Sequence, residues 1–180
     1  IGGCQAAFAP TTNAELQAAV GTCTSSGYPN YQLIGCTGGC LGEDTTGACP
    51  NFAASNDASG NPYGQIGDWD VSAVTDMQRI FRYAVEFNQD ISGWDVASAT
   101  ALDYFLVYAK AFNQDLSGWD VASVTSFSSM FNGAYAFTSD LSGWDVSSAT
   151  LARFMFANTH AFNSDLSAWD VSKVTRLDSF

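Results

Sequence analysis

Apolar residues along most of this chain fall into two alternating rhythms. Around Ile91, Trp94 and Val96 they are closely spaced, as in a short strand and the turn that leaves it. A few residues on, the spacing opens to three and four: Met77, Ile80, Phe81, Ala84, and again Leu102, Phe105, Leu106, Ala109. That spacing is one face of a helix. The change of rhythm recurs every 25 residues, marked by Trp69, Trp94, Trp119, Trp144 and Trp169, the only five tryptophans of the chain. Self-similarity at a fixed period marks a repeat protein, in which each unit buries its apolar face against its neighbours. The pattern predicts a short strand, a turn, a short helix and a return in every repeat.

The columns of the repeat support that reading. Three residues before tryptophan stand Ile66, Ile91, Leu116, Leu141 and Leu166, and two after it Val71, Val96, Val121, Val146 and Val171. Eighteen after it stand Phe87, Phe112, Phe137 and Phe162. The tryptophan and phenylalanine columns are expected in the repeat core, each ring packed against the one above and below. Six after tryptophan stand Thr75, Thr100, Thr125, Thr150 and Thr175, where a helix N-cap belongs, and Thr75-Asp76-Met77-Gln78 reads as a capping box. Gly93, Gly118 and Gly143, with Ala168 in the same register, suggest a tight bend or close backbone approach before the tryptophan. Asn88, Asn113 and Asn163, with Thr138 in register, suggest an internal amide ladder.

Residues 1–62 lack the repeat. Thr12-Asn13-Ala14-Glu15 is a second capping-box pattern, followed by Leu16, Ala19 and Val20 and then Gly21, so a short amphipathic helix is expected from Thr12 to Val20. An end cap of this kind is what a stack of repeats needs. The chain thus divides into a Cys-rich N-terminal cap, 1–62, and about five repeats over 63–180, the last incomplete. It starts at Ile1 without an initiator methionine and stops midway through the repeat begun at Trp169, which suggests processing or further sequence.

The unit Met-Phe-x-x-Ala-x-x-Phe-Asn-Gln-Asp-Ile-Ser-x-Trp-Asp-Val-Ser-x-Val-Thr resembles the BspA-like leucine-rich repeats, the bacterial-surface-protein repeat also called DUF285. Phe87-Asn88-Gln89-Asp90-Ile91-Ser92-Gly93-Trp94-Asp95-Val96 and Phe131-Asn132-Gly133-Ala134-Tyr135-Ala136-Phe137 match it closely. The resemblance covers about Tyr63 to Phe180. It implies an α/β repeat, a right-handed leucine-rich-repeat-like solenoid, secreted or surface-exposed, with adhesive or protein-binding roles and no catalytic residues. Leu16-Gln17-Ala18-Ala19-Val20 also resembles a Leu-x-x-Ala-Val helix that family members often carry ahead of their repeats.

All five cysteines, Cys4, Cys23, Cys36, Cys40 and Cys49, lie in the cap. Disulfides stapling a loop-rich segment are the natural reading and imply an oxidising compartment: secreted, cell-surface or lumenal. The odd number leaves one thiol free, paired with another chain, or matched by a cysteine elsewhere. A metal site is the rival, through Cys36-x3-Cys40, but no histidine is near and the remaining spacing is irregular.

Charge narrows the partners. A net charge of −12 with only six Lys and Arg disfavours nucleic acid and anionic lipid alike. No apolar run is long enough to cross a bilayer, so membrane insertion is not expected. Half of the eighteen acidic residues form two columns: Asp70, Asp95, Asp120, Asp145 and Asp170, and Asp90, Asp115, Asp140 and Asp165. At a strand-like spacing of roughly 4.8 Å, like charges repel by about 0.9 kcal/mol per neighbour even at the dielectric of water. Turn amides or bound calcium are the candidates to offset that; the second column is the candidate calcium site, against the plainer reading that each Asp bonds its own turn. No other cofactor is indicated. Tyr83, Tyr104, Tyr108 and Tyr135 are candidates for an exposed partner or glycan surface, and His160, the one histidine, is expected to be solvated.

No nucleophile elbow, HExxH, P-loop or GxGxxG stands in a suitable context. A carboxylate pair of glycosidase type needs two differentiated environments, which a column of identical carboxylates does not offer. The sequence therefore reads as a non-enzymatic body that binds a protein or assembles with itself. A calcium-dependent or carbohydrate-binding adhesin is the alternative.

Overall fold

The structure, a computed structural model, describes residues 8–20, 66–85 and 87–178. The five cysteines and any disulfides among them lie outside the described residues.

Helix α1 spans Asn13–Val20. Its start is the capping box written in the sequence. The Thr12 hydroxyl accepts the Glu15 amide at 3.2 Å, and the Glu15 carboxylate accepts the amides of Thr12 at 3.2 Å and Thr11 at 2.8 Å. These bonds satisfy amides that a helix N-terminus leaves without intrahelical partners. Leu16, Ala19 and Val20 are buried in the common core. Asn13 Nδ2 donates to the Asp76 and Gln78 carbonyls, and Gln17 Nε2 to that of Gln78. Phe8 packs edge-on against Trp69 at 5.0 Å. The segment therefore covers the exposed carbonyl edge and apolar end of the first repeat.

The repeats themselves correct the expected architecture. The strand-plus-helix solenoid of leucine-rich-repeat type is not formed: the described residues contain no strand and no sheet, and α1 and a 3-10 turn at Ile66–Asp68 are their only helices. Single parallel bridges link Asp76 to Ala101, Ala101 to Ser126, Ser126 to Leu151 and Leu151 to Arg176. Three residues beyond Asp76, Ala101, Ser126 and Leu151 the backbone turns left-handed, at Arg79, Tyr104, Ser129 and Phe154, so no strand propagates there.

The segments expected to be helical fail for a visible reason. Arg79, Tyr83, Tyr104, Tyr108, Ser129, Gly133, Phe154 and Asn158 all have φ between 55° and 75°. A left-handed residue in every fourth place breaks a right-handed helix. The amides go elsewhere: those of Met77, Arg79, Phe81 and Tyr83 donate to the carbonyls of Ala101, Asp103, Phe105 and Val107 in the next repeat, at 2.8–3.0 Å. Side chains at three- and four-residue spacing still turn inward, which is why Met77, Ile80, Phe81, Leu102, Phe105 and Leu106 are buried.

The threonines are not N-caps. Each stacks on its counterpart: Thr100, Thr125, Thr150 and Thr175 donate both amide and hydroxyl to the carbonyl of the threonine 25 residues earlier, the hydroxyls at 3.1 Å. The expected box at Thr75 is also absent, because the Gln78 amide bonds the Asp76 carboxylate at 2.9 Å instead.

Aromatic columns carry the core. Phe87, Phe112, Phe137 and Phe162 stack at 5.6, 6.1 and 5.9 Å with near-parallel planes. Trp69, Trp94, Trp119 and Trp144 are 3–4% exposed, and Trp169 is half-buried. Each indole from Trp94 onward donates to a carbonyl of the preceding repeat: Ile66, Ile91, Leu116 and Leu141, at 2.8–3.2 Å. A buried indole N–H needs such an acceptor, and here the acceptor also locks register between repeats.

Candidate functional site

Two surfaces differ in kind. The first is regular. Asp90, Asp115, Asp140 and Asp165 are exposed, and each uses Oδ1 to accept the amide two residues on, at 2.9 Å from Ser92, Ser117, Ser142 and Ser167. Asp70, Asp95, Asp120, Asp145 and Asp170 do the same in their own turns, at 2.9–3.1 Å. These Asx turns offset the charge repulsion along each column. Hydroxyls of the next repeat add to the second column: Ser139 Oγ reaches Asp115 at 3.2 Å and Ser164 Oγ reaches Asp140 at 2.8 Å.

The electrostatics follow from those bonds. The backbone amide of Ser117 holds the Asp115 carboxyl below its ordinary value, and those of Ser142 and Ser167 do so for Asp140 and Asp165. At Asp90 the Ser92 hydroxyl leads. The like charge of a neighbouring Asp pushes the other way but weighs less. The acids of the second column thus share one direction of shift, with Asp115 and Asp140 each held by a further hydroxyl.

Two shallow hollows lie on this side. One, of about 300 Å³, is lined by Thr138, Asp140, Asn163 and Asp165; the other, of about 360 Å³, by Asn113, Asp115, Thr138 and Asp140. No group of three or more His, Cys, Asp or Glu side chains converges among the described residues. The amide ladder is present on this side, but at the surface: Asn88 Oδ1 accepts the Asn113 amide and Asn113 Oδ1 the Thr138 amide, both at 2.8 Å.

The second surface is irregular. In the left-handed positions the repeats carry different side chains: Arg79, Tyr104, Ser129 and Phe154 in one column, Tyr83, Tyr108, Gly133 and Asn158 in the other. Tyr83 and Tyr108 stack at 5.5 Å. Tyr108 lies over Gly133, where a Cβ would meet its ring at 2.7 Å. Arg79 Cζ sits 5.5 Å from the Tyr104 centroid, and Lys110 Nζ 5.6 Å from that of Tyr135. Exposed His160 stacks on Tyr135 at 5.7 Å. Tyr104 and Tyr135 remain 37% and 41% exposed. Left-handed non-glycine residues cost of order 1 kcal/mol or more each and cluster at functional surfaces. Sequence reasoning placed the tyrosines on helices. It missed the left-handed backbone at Tyr83, Tyr104 and Tyr108.

Among the described residues no helix is long and apolar enough to cross a membrane. No curated protein and no solved structure matches the chain. A family model does match, over residues 51–169, more than half of the chain. The Trp-Asp-Val turns from Trp69 to Val146, their Asx-capped carboxylates and the stacked phenylalanines lie within that span, and the chain belongs to the family described as Mycoplasma protein of unknown function, DUF285.

Proposed function

We propose that this chain is a non-enzymatic protein-binding body, acting at a cell surface, outside the cell or in another oxidising compartment as part of a larger assembly. One observation carries the reading: aromatic and cationic side chains that differ from repeat to repeat, among them Arg79, Tyr104 and Tyr108, are displayed on left-handed backbone, while the Trp-Asp-Val turn recurs unchanged. Interfaces favour tyrosine and arginine as anchors. The resemblance to BspA-like repeats supports a surface location, as does the gathering of five cysteines in one segment. The common downward shift along the second Asp column supports the absence of catalysis.

Native mass spectrometry of the protein from its source, with and without a calcium chelator, tests this. The expected result is a complex that survives chelation and is lost when the chain carries Tyr104→Ser and Tyr135→Ser. A monomer refutes the reading. Dissociation by chelator alone favours instead a calcium-dependent or glycan-binding adhesin, for which the acidic hollows along Asp115, Asp140 and Asp165 are the support.

A further inference from the structure

The chemistry of the irregular face narrows its partner. Its tyrosine rings are not open platforms. Tyr104 has Arg79 Cζ at 5.5 Å and Arg82 Cζ at 6.0 Å from its centroid. Tyr135 has Lys110 Nζ at 5.6 Å and the His160 ring at 5.7 Å. A ring surface occupied by a cation does not also stack a sugar. What this face offers is guanidinium and ammonium N–H, held in place by aromatic rings, beside phenol hydroxyls. Such donors fit carboxylates, which guanidinium binds in a bidentate fork. Arginine braced on a ring also loses less side-chain freedom on binding.

Charge placement agrees. Of the six Lys and Arg in the chain, Arg79 lies against Tyr104 and Lys110 against Tyr135, whereas Arg153 is paired with Asp178 at 2.9 Å. The nearby acids are engaged locally: Asp76 Oδ1 accepts the Gln78 amide and Asp103 Oδ1 the Ser126 hydroxyl. We propose that this face binds an acidic peptide segment of a partner protein, with Arg79 and Lys110 contacting its carboxylates. The assignment rests on the protein-binding reading above. The net charge of −12 opposes long-range steering of such a ligand, but at physiological salt that repulsion is screened beyond about 8 Å while direct contacts persist.

Fluorescence anisotropy of the full chain with labelled octaglutamate, octaglutamine and maltoheptaose at physiological salt tests it. Octaglutamate is expected to bind more tightly than octaglutamine. Arg79→Glu with Lys110→Glu should weaken it at least about tenfold, the loss of a charge-assisted contact. Lys173→Glu with Arg176→Glu makes the same change in net charge and should alter binding less than twofold. Arg79→Lys with Lys110→Arg, which keeps both charges, should retain most of it, separating lost contacts from lost folding. Equal binding of octaglutamate and octaglutamine, or equal weakening by the two charge-reversed pairs, overturns the proposal. So does maltoheptaose binding that Tyr104→Ala abolishes and Arg79→Glu with Lys110→Glu spares. A source complex that persists while octaglutamate fails to bind overturns the acidic-peptide assignment alone; a monomeric protein overturns the broader reading as well.

Discussion

Replacing Trp144 by phenylalanine isolates what the tryptophan column contributes. Trp144 is 4% exposed, and its indole donates to the Leu116 carbonyl at 2.9 Å. Phenylalanine keeps an aromatic ring but removes the donor; the Leu116 carbonyl still accepts the Trp119 amide at 3.1 Å, so the lost bond costs about 0.5–1.5 kcal/mol. The smaller ring adds a cavity term of roughly 1 kcal/mol beside Phe127, 6.0 Å away, and Trp169, 6.4 Å away. The sum is about 1.5–2.5 kcal/mol. Trp169 supplies the internal control, since it makes the same bond to Leu141 at 2.9 Å but is only half-buried. Water can replace that bond, so Trp169→Phe should cost about 1 kcal/mol or less. Urea unfolding followed by the fluorescence of the remaining tryptophans measures both. Equal losses at the two sites would falsify the argument that burial, not the bond alone, sets the value of each indole.

Two further outcomes follow from particular contacts. Gly133→Ala places a Cβ 2.7 Å from the Tyr108 ring on backbone with φ of 75°, so thermal unfolding should show a loss of about 1–3 kcal/mol, whereas Gly118→Ala, with nothing within 4 Å, should be near neutral; a harmless Gly133→Ala refutes the assigned left-handed packing. For the second Asp column, amide and hydroxyl donors depress the folded carboxyls below the ordinary 3.8, so their contribution is present above that value and lost as pH falls through the lower folded values. Stability should therefore be flat above about pH 5 and decline below pH 4. Asp115→Asn keeps an oxygen for the Ser117 amide and should be tolerated at neutral pH, as a column member is and a catalytic residue is not; severe loss of folding or function at neutral pH contradicts that role.

How much of this was legible in sequence depends on which interaction decides each feature. Local interactions are written along the chain, so the capping box at Thr12 and Glu15 and helix α1 could be read directly. Repetition carries across the chain as well: identical residues every 25 positions imply identical surroundings, and the stacked Phe87 column and the Asx turns of the Asp columns follow from that. The path of the backbone within a repeat is another matter. Met77, Ile80, Phe81 and Ala84 have helical spacing, yet the amides of Met77, Arg79, Phe81 and Tyr83 bond across to the next repeat, only those of Arg82 and Ala84 bond back along the segment, and Arg79 and Tyr83 turn left-handed to allow this. That choice is made between segments 25 residues apart, where no window of local sequence can see it. The irregular face has the same origin. Arg79 and Tyr104, and likewise Lys110 and Tyr135, stand 25 residues apart in the chain and look unremarkable in it; only stacking of the repeats brings the cations over the rings.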